Sequence, residues 1–207
     1  MKRLFAALIL SSLPLARAGA PAATVESAQP LPVGAAAPAA TVRAPDGAEV
    51  DLGALVCAQP PILSFYRGGW CPYCNRHLEE LQGIEADLLK LGYQIIALSP
   101  DRPEALAATT EKNHLAYRLF SDRAMHAADA WGTAFVMPDD IVAKYGKWNI
   151  DLAPLPGDDA KRWLPVPAVF VVTDGTVRFV HSEPDYKVRL AADAVLAAAQ
   201  AVLTTAK

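Results

Sequence analysis

The sequence predicts an α/β fold in which a mixed central sheet is flanked by helices. Short apolar runs alternate with amphipathic stretches along most of the chain, and this alternation is typical of parallel strand pairs. Near the carboxyl end, two apolar runs flank Asp174-Gly175, which indicates an antiparallel hairpin with a two-residue turn. With 207 residues, 53% of them hydrophobic, the chain is long enough to bury one sizeable core.

The first eighteen residues have the features of an export signal. Lys2 and Arg3 precede an apolar stretch, residues 4 to 15, and Ala16-Arg17-Ala18 is a small-x-small cleavage site. The alternative is a membrane anchor, but a span needs about 20 apolar residues and Pro14 already interrupts this run. We therefore predict cleavage after Ala18 and a periplasmic or secreted protein that does not stay in the membrane.

The charge balance argues against nucleic acid as a partner. The chain has 19 Lys and Arg against 22 Asp and Glu, and its formal net charge is −3. Cleavage after Ala18 removes three basic residues and no acidic ones, so the mature charge is −6. This is the opposite of the basic excess expected of a nucleic-acid-binding protein.

Residues 19 to 31 contain mainly Ala, Pro and small polar residues without periodicity. Such a segment has too little apolar surface to order itself, so it is predicted to be a flexible tether. The domain is expected to occupy residues 32 to 207.

Two elements of this domain meet at a pair of cysteines. Residues 62 to 66 form a short apolar run between prolines and glycines, which indicates a buried strand. From residue 75 to 91, apolar residues recur at spacings of three and four, which predicts an amphipathic helix closed by Gly92. The strand thus leads the chain to Cys71, and the helix begins beside Cys74.

The remaining elements follow from the same patterns. The sequence predicts strands over 93–98, 117–120, 169–172 and 177–180, and helices over 103–114, 124–131 and 186–204. Residues 132 to 164 are interrupted by several prolines and glycines, so no regular element is predicted there. A long stretch of this kind is usually functional or mobile.

Cys71-Pro72-Tyr73-Cys74 is the candidate catalytic motif. A thiolate is the attacking species in disulfide and peroxide chemistry, and an ordinary Cys is mostly protonated at neutral pH. Cys71 would lie just before the first helical turn, where free N–H groups and the helix dipole stabilise a negative charge. Pro72 suits the first helical position, and Arg67 would add a nearby positive charge. Cys74 would lie one turn inside, within reach of a disulfide on Cys71.

Other interpretations of the pair use the same residues. A zinc site with Cys71, Cys74 and His77 lacks an evident fourth ligand, and Asn75 stands where covalent haem attachment requires His. A static structural disulfide, in a binding module without redox activity, is a further alternative. Cys57 is a buried inert residue, a second resolving thiol or an incidental cysteine, and we expect it to be buried and inert because free Cys is among the most buried residue types.

Several segments resemble the AhpC/TSA (alkyl hydroperoxide reductase / thiol-specific antioxidant) family of peroxiredoxin-like proteins. The resemblance extends from about residue 32 to 185. The matching segments are Gly34-Ala35-Ala36-Ala37-Pro38, Asp46-Gly47, Phe65-Tyr66-Arg67-Gly68-Gly69-Trp70-Cys71-Pro72-Tyr73-Cys74, Leu98-Ser99-Pro100-Asp101 and Phe120-Ser121-Asp122. The resemblance implies a thioredoxin-like fold with an added amino-terminal hairpin. It also implies a cis proline beside the cysteines, for which Pro167 is the matching position.

The chain departs from this family at the positions that hold the peroxide. The family pattern Pro-x-x-x-Thr-x-x-Cys has Ser64 and Gly68 at its first two named positions here. The family's Arg before the late strand is replaced by Pro167, which leaves Arg67 or Arg162 as the available cation. Because such donors stabilise the leaving oxygen, their loss predicts slow peroxide reduction beside competent disulfide exchange.

We therefore predict a thiol-dependent oxidoreductase that uses no cofactor. Cys71 is the expected nucleophile and Cys74 the resolving thiol. Arg67 and Trp70 are expected to tune the site, and Pro167 to shape the edge that binds a partner. The resemblance implies a thiol electron donor of the thioredoxin or glutathione type, and a substrate that is either a peroxide or a protein disulfide.

Overall fold

The computed structural model describes residues 21 to 205, so the predicted signal segment and cleavage site lie outside the described residues. The strands are β1 (Thr41–Arg43), β2 (Glu49–Asp51), β3 (Pro61–Phe65), β4 (Gln94–Ser99), β5 (Arg118–Ser121), β6 (Ala134–Val136), β7 (Ala153–Leu155), β8 (Asp158–Pro165), β9 (Ala168–Thr173) and β10 (Thr176–Ser182). The helices are α1 (Leu52–Ala58), α2 (Pro72–Lys90), α3 (Pro103–Lys112), α4 (His126–Ala130), α5 (Asp139–Gly146) and α6 (Ala192–Thr205).

The main sheet has seven strands in the order β10-β9-β3-β4-β5-β1-β2. The central pairs β3/β4 and β4/β5 are parallel, and the outer pairs are antiparallel. The predicted mixed sheet is therefore confirmed. The β1–β2 hairpin pairs with β5 at one edge, in agreement with the added amino-terminal hairpin.

The strands β3, β4 and β9 are buried along their whole length because helices and loops cover both faces of the sheet. On one face, α2 and α6 contribute to a core cluster that includes Cys71 and Cys74. On the other face, α1 and α4 contribute to a second cluster that is centred on Trp131, Phe65 and Phe170. The cysteine pair thus lies at the margin of a well-packed core.

Residues 132 to 164 contain several regular elements, contrary to the sequence prediction. They contain β6, α5, β7 and most of β8, and the order β6-β8-β7 forms a second, three-stranded sheet. The prolines and glycines lie at the ends of these elements and do not prevent them from forming. Pro138 caps α5, and Gly157 has a φ of +81° in the turn between β7 and β8. A third apolar cluster, which includes Phe135, Tyr145 and Leu164, joins α5 to this sheet.

Residues 21 to 31, where the sequence predicts a flexible tether, form backbone hydrogen bonds with the domain. The Ala22 N–H donates to the Ala134 carbonyl at 3.1 Å, and Ala22 accepts from the Val136 N–H at 2.8 Å. Further along, the Leu31 N–H donates to the Trp131 carbonyl at 3.1 Å. Backbone pairing of this kind needs no apolar periodicity, which is why the sequence pattern does not reveal it. The exact domain boundary stays a prediction.

The chain between β10 and α6, residues 183 to 191, is not helical, although the sequence predicts a helix from residue 186. We refer to residues 183 to 191 as the cover segment. Tyr186 and Leu190 of this segment pack against the core cluster that contains the cysteines. Its backbone is held by local turns, such as the Val188 N–H donating to the Asp185 carbonyl at 2.9 Å, instead of helical hydrogen bonds.

Candidate active site

The cysteine pair occupies the first turn of α2 as predicted from the sequence. Cys71 is the residue before the helix, Pro72 is at its first position, and both thiols are free. The Cys71 carbonyl accepts from the N–H groups of Cys74 and Asn75, each at 3.1 Å. Cys71 and Cys74 are each 1% exposed, so the dithiol lies beneath the surface at a helix amino terminus.

The site gives the two thiols opposite acidities. The pKa of Cys71 is lowered to about 6, chiefly by hydrogen bonding with the Cys74 thiol and also by the charges of Arg67 and Arg189. These effects outweigh burial, which acts in the other direction. Burial raises the pKa of Cys74 well above its usual value, and the hydrogen bond with Cys71 adds to this. Cys71 is therefore the thiolate at neutral pH and Cys74 its proton donor.

Arg67 follows β3 and is the buried cation beside this thiolate. Its side chain is 4% exposed, and Nη2 donates to the Tyr145 hydroxyl at 2.7 Å. Its guanidinium carbon lies 4.0 Å from the ring centroid of Tyr186 and 5.2 Å from that of Trp70. Within residues 21 to 205, Arg67 forms no ion pair with a carboxylate, and Nη1 has no hydrogen-bond acceptor. Its uncompensated charge is one of the two positive charges that lower the pKa of Cys71.

Trp70 and Pro167 extend the site toward the second sheet. The Trp70 ring packs edge to face on Tyr145 at 5.4 Å, which connects the cysteine loop to α5. Pro167 lies between β8 and β9, and together with Arg67 it lines a cavity of about 250 Å³ that is otherwise walled mostly by apolar and aromatic side chains. Arg162, the other candidate cation, donates to the carbonyls of Asp159 and Lys161 on β8 and has no contact with the dithiol.

The expectation of a cis peptide bond at Pro167 is wrong, because every peptide bond in residues 21 to 205 is trans. The approach to Pro167 is held extended by backbone pairing. The Val166 N–H donates to the Thr133 carbonyl at 2.8 Å, which continues the pairing of β8 with β6.

Gly68 explains why the family's threonine is missing. Its φ is +145°, a conformation that residues with a Cβ rarely adopt. A Cβ at Gly68 would lie 2.3 Å from the Trp70 indole nitrogen and 2.7 Å from Asp101 Oδ1. Asp101 is itself held in place, because it accepts from the Gly69 N–H at 2.8 Å. The loop therefore packs against the ring of Trp70 at the position where the family places a hydroxyl.

Three contacts of the candidate site are absent from the sequence prediction. Arg189 of the cover segment donates from Nη2 to Cys74 Sγ at 3.4 Å, and Tyr145 of α5 holds Arg67. Asn75 donates to the Gly69 carbonyl at 2.9 Å and fixes the loop to α2. Asn75 directly follows Cys74, so its position was a usable signal. Arg189 and Tyr145 belong to segments without a recognisable motif, and only the fold brings them to the dithiol.

Cys57 is exposed, which corrects the prediction that it is buried. On the short helix α1 the buried side chains are Leu52 and Val56, four residues apart, and Cys57 follows one position later on the outer face. His77 is buried and its pKa is lowered to about 4, mainly by burial. In the described part of the chain, no group of three His, Cys, Asp or Glu side chains has a metal-binding arrangement.

The sequence profile of the AhpC/TSA family matches residues 33 to 180, which include the cysteine pair, Arg67 and Pro167. The chain belongs to the AhpC/TSA family. Among curated proteins, it is 31% identical over 102 residues to a protein named as a peroxiredoxin in Mycobacterium tuberculosis strain H37Rv. This match covers 49% of the chain and 64% of the relative. The chain thus spans less than two thirds of that relative's length.

Solved structures of peroxiredoxins have the same fold. The peroxidoxin BcpB of Mycobacterium tuberculosis is 19% identical, with a TM-score of 0.62, over 84% of this chain and 97% of that one. Reduced Prx3 of Vibrio vulnificus in complex with hydrogen peroxide is 17% identical, with a TM-score of 0.66, over 82% and 99%. These similarities confirm the thioredoxin-like fold of the AhpC/TSA chain. Within residues 21 to 205, no helix is long and apolar enough to cross a membrane.

Proposed function

We propose that this member of the AhpC/TSA family is a thiol peroxidase with a Cys71/Cys74 disulfide cycle. The Cys71 thiolate attacks the terminal oxygen of a hydroperoxide, so an S–O bond forms and the O–O bond breaks. The sulfur is oxidised to a sulfenic acid, and the leaving alkoxide or hydroxide takes a proton to become an alcohol or water. Cys74 then attacks Cys71 Sγ, a disulfide forms, and the sulfenic oxygen leaves as water.

The observation that supports this reaction best is the buried, unpartnered N–H group of Arg67. A fast peroxide reaction needs a fixed donor for the charge that develops on the leaving oxygen. Nη1 of Arg67 is buried, lacks an acceptor in the described part of the chain and belongs to the cation that lowers the pKa of Cys71. Arg67 would thus replace, from the end of β3, the arginine that the family places before the late strand. The 1% exposure of Cys71 favours a small substrate.

A second candidate is exchange with protein disulfides. It is favoured by Gly68, which leaves the peroxide without the family's hydroxyl, and by the low pKa of Cys71, which suits a thiol that attacks disulfides. In this reaction the cover segment would have to move, because it packs over the dithiol.

Rapid mixing of the reduced protein with hydroperoxides tests the two candidates. The exposed Cys57 is first replaced by Ser, so that only the dithiol reacts. We expect hydrogen peroxide and tert-butyl hydroperoxide to produce the Cys71–Cys74 disulfide with a rate constant below about 10⁷ M⁻¹s⁻¹, because the threonine and the adjacent arginine of the family are missing. Cys71→Ser is the inactive control. Insulin reduction without any oxidation by hydroperoxide would instead support disulfide exchange.

The proposed cycle needs an external dithiol or thiol reductant, of the thioredoxin or glutathione type. Peroxide consumption should therefore continue beyond one turnover when one of these systems is supplied. A cycle that no thiol system sustains would contradict this part of the proposal.

The location is likewise a proposal, which rests on the basic start, the apolar stretch and Ala16-Arg17-Ala18. We expect the mature protein from its native host to begin at Gly19 and to be recovered with the periplasmic or secreted fraction. Recovery of the full-length chain from the cytosol would contradict export.

A further inference from the structure

Arg189 is the one charged side chain that donates a hydrogen bond to Cys74 in the described part of the chain. Its Nη2 lies 3.4 Å from Cys74 Sγ, and the two residues are 115 positions apart. Nη1 donates to the carbonyls of Tyr186 and Val188, the latter at 2.7 Å. The guanidinium is therefore fixed by its own backbone segment. Among residues 21 to 205, no carboxylate pairs with it.

In the resolution step Cys74 has to react as a thiolate, although its position disfavours a negative charge. Cys74 is 1% exposed and lies in the apolar cluster around α2, so its charged form is poorly solvated. While Cys71 is a thiolate, a second negative charge beside it is disfavoured, and Cys74 remains the proton donor. Once Cys71 is oxidised or joined to a partner, that negative charge is gone. The positive charge of Arg189 is then directly at the sulfur that has to react.

We propose that Arg189 is a catalytic residue of the resolution step, which stabilises the negative charge on Cys74 Sγ as it attacks Cys71. The proposal rests on the Cys71/Cys74 cycle proposed above. In this cycle, a different arginine is the main positive charge beside the attacking sulfur in each of the two steps. Arg67, at the end of β3, serves the attack by Cys71. Arg189, on the cover segment, serves the attack by Cys74.

The electron balance of the resolution step is the same for a sulfenic acid and for a mixed disulfide on Cys71. Cys74 loses its proton and forms the S–S bond with Cys71 Sγ. The bond from Cys71 Sγ to the leaving group breaks, and the leaving group departs as water or as a thiol with that proton. When the leaving thiol of a mixed disulfide is coloured, its release reports the resolution step without any peroxide.

The test uses dithionitrobenzoate in the Cys57→Ser background. The reduced protein releases one thionitrobenzoate when Cys71 attacks the reagent and a second one when Cys74 resolves the mixed disulfide. In Arg189→Met we expect the second release to slow by at least about tenfold, since an adjacent opposite charge changes a thiol's ionisation by an order of magnitude or more. The first release should change less than the second, because Arg189 donates its hydrogen bond to Cys74 and its charge is the weakest of the effects that lower the pKa of Cys71.

Two variants separate charge from structure. Arg189→Lys keeps the positive charge and should retain most of the second rate, whereas Arg189→Gln should behave like Arg189→Met even if the latter folds poorly. Arg43→Met is the matched control, because Arg43 is an exposed arginine on the β1–β2 hairpin, at the far edge of the sheet. An unchanged second release in both neutral variants would overturn the proposal. So would an equal loss in Arg189→Lys.

Failure of this proposal is distinguishable from failure of the peroxidase function. If hydroperoxides do not oxidise Cys71 but the second release still depends on the charge at position 189, Arg189 retains its role and the substrate is a disulfide. If hydroperoxides react and the second release does not depend on that charge, the peroxidase function stands and the role of Arg189 is wrong.

Discussion

Cys71 and Cys74 have identical side chains in one helical turn, and their surroundings separate their acidities. Hydrogen bonding from Cys74, with the charges of Arg67 and Arg189, lowers the pKa of the Cys71 thiol to about 6. The Cys74 thiol lies one turn deeper, where burial raises its pKa. The proposed order of attack follows from this difference in acidity, and the aromatic rings around Arg67 hold its charge in place.

This difference predicts the pattern of alkylation. In the reduced Cys57→Ser protein, Cys71 should react with iodoacetamide half-maximally near pH 6, while Cys74 stays unlabelled. Arg67→Met should shift the midpoint to higher pH, because it removes a charge that favours the thiolate. Mass spectrometry of the labelled peptides gives both rates. Faster labelling of Cys74 at pH 6 would reverse the assignment.

The same assignment predicts different behaviour for the two serine variants. Cys71→Ser should lose all turnover, whereas Cys74→Ser should still react once and accumulate a sulfenic acid or mixed disulfide on Cys71.

At the scale of elements, the loop between β3 and α2 determines what can surround the reacting sulfur. Gly68 has a positive φ, and a Cβ there would overlap the Trp70 ring and the Asp101 carboxylate. The neighbouring Gly69 is equally restricted, since its Cβ would lie 2.0 Å from Thr109 Oγ1. The close packing of this loop excludes the family's threonine, and the loop places Arg67 at the site instead.

Restoring that threonine should therefore damage the protein. We expect Gly68→Thr to lower the free energy of unfolding by about 2 kcal/mol or more, because the backbone conformation and the overlap both disfavour a side chain. Urea denaturation measures this change. Gly83→Ala is the matched control: outside the neighbouring backbone of α2, no atom lies within 4 Å of its added Cβ, so it should stabilise the protein by about 0.5 to 1 kcal/mol. A Gly68→Thr protein of unchanged stability and faster peroxide reaction would contradict the argument.

At the scale of the whole molecule, the site exists because distant parts of the chain meet above α2. The loop after β3 provides Arg67, and α5, which packs on the second sheet, provides Tyr145. The cover segment provides Tyr186 and Arg189. Arg67 and Tyr145 are 78 residues apart in sequence. Folding thus creates the environment that ionises Cys71, so ionisation of Cys71 must in turn stabilise the folded protein.

The expected effect has a defined sign. In the reduced protein the folded pKa of Cys71 is about 6, below the unfolded value of about 8.5, so the unfolded state binds more protons between these values. The stabilisation is fully present above the unfolded pKa and is lost as the pH falls through 6. Compared with Cys71→Ser, the reduced protein should therefore gain stability as the pH rises from 6 to 8.5. Urea denaturation under reducing conditions measures the difference, and a difference independent of pH would contradict the low pKa.

The sequence by itself determined the features that depend on local spacing. The strand before Cys71, the amphipathic helix after it, the hairpin at Asp174-Gly175 and the family follow from periodicity, turn residues and motif, and the structure and comparisons confirm them. These features are predictable because a repeat of two or about 3.6 residues already specifies which face of an element is buried.

Only the tertiary structure decided what surrounds the sulfur atoms. The contact between Arg189 and Cys74 joins residues 115 positions apart, and no local pattern encodes such a pairing. The exposure of Cys57, the regular elements within residues 132 to 164 and the exclusion of a side chain at Gly68 likewise depend on which surfaces pack together. The motif specifies a dithiol, but the charges and rings that set its reactivity come from other segments, which are adjacent only after the sheet has formed.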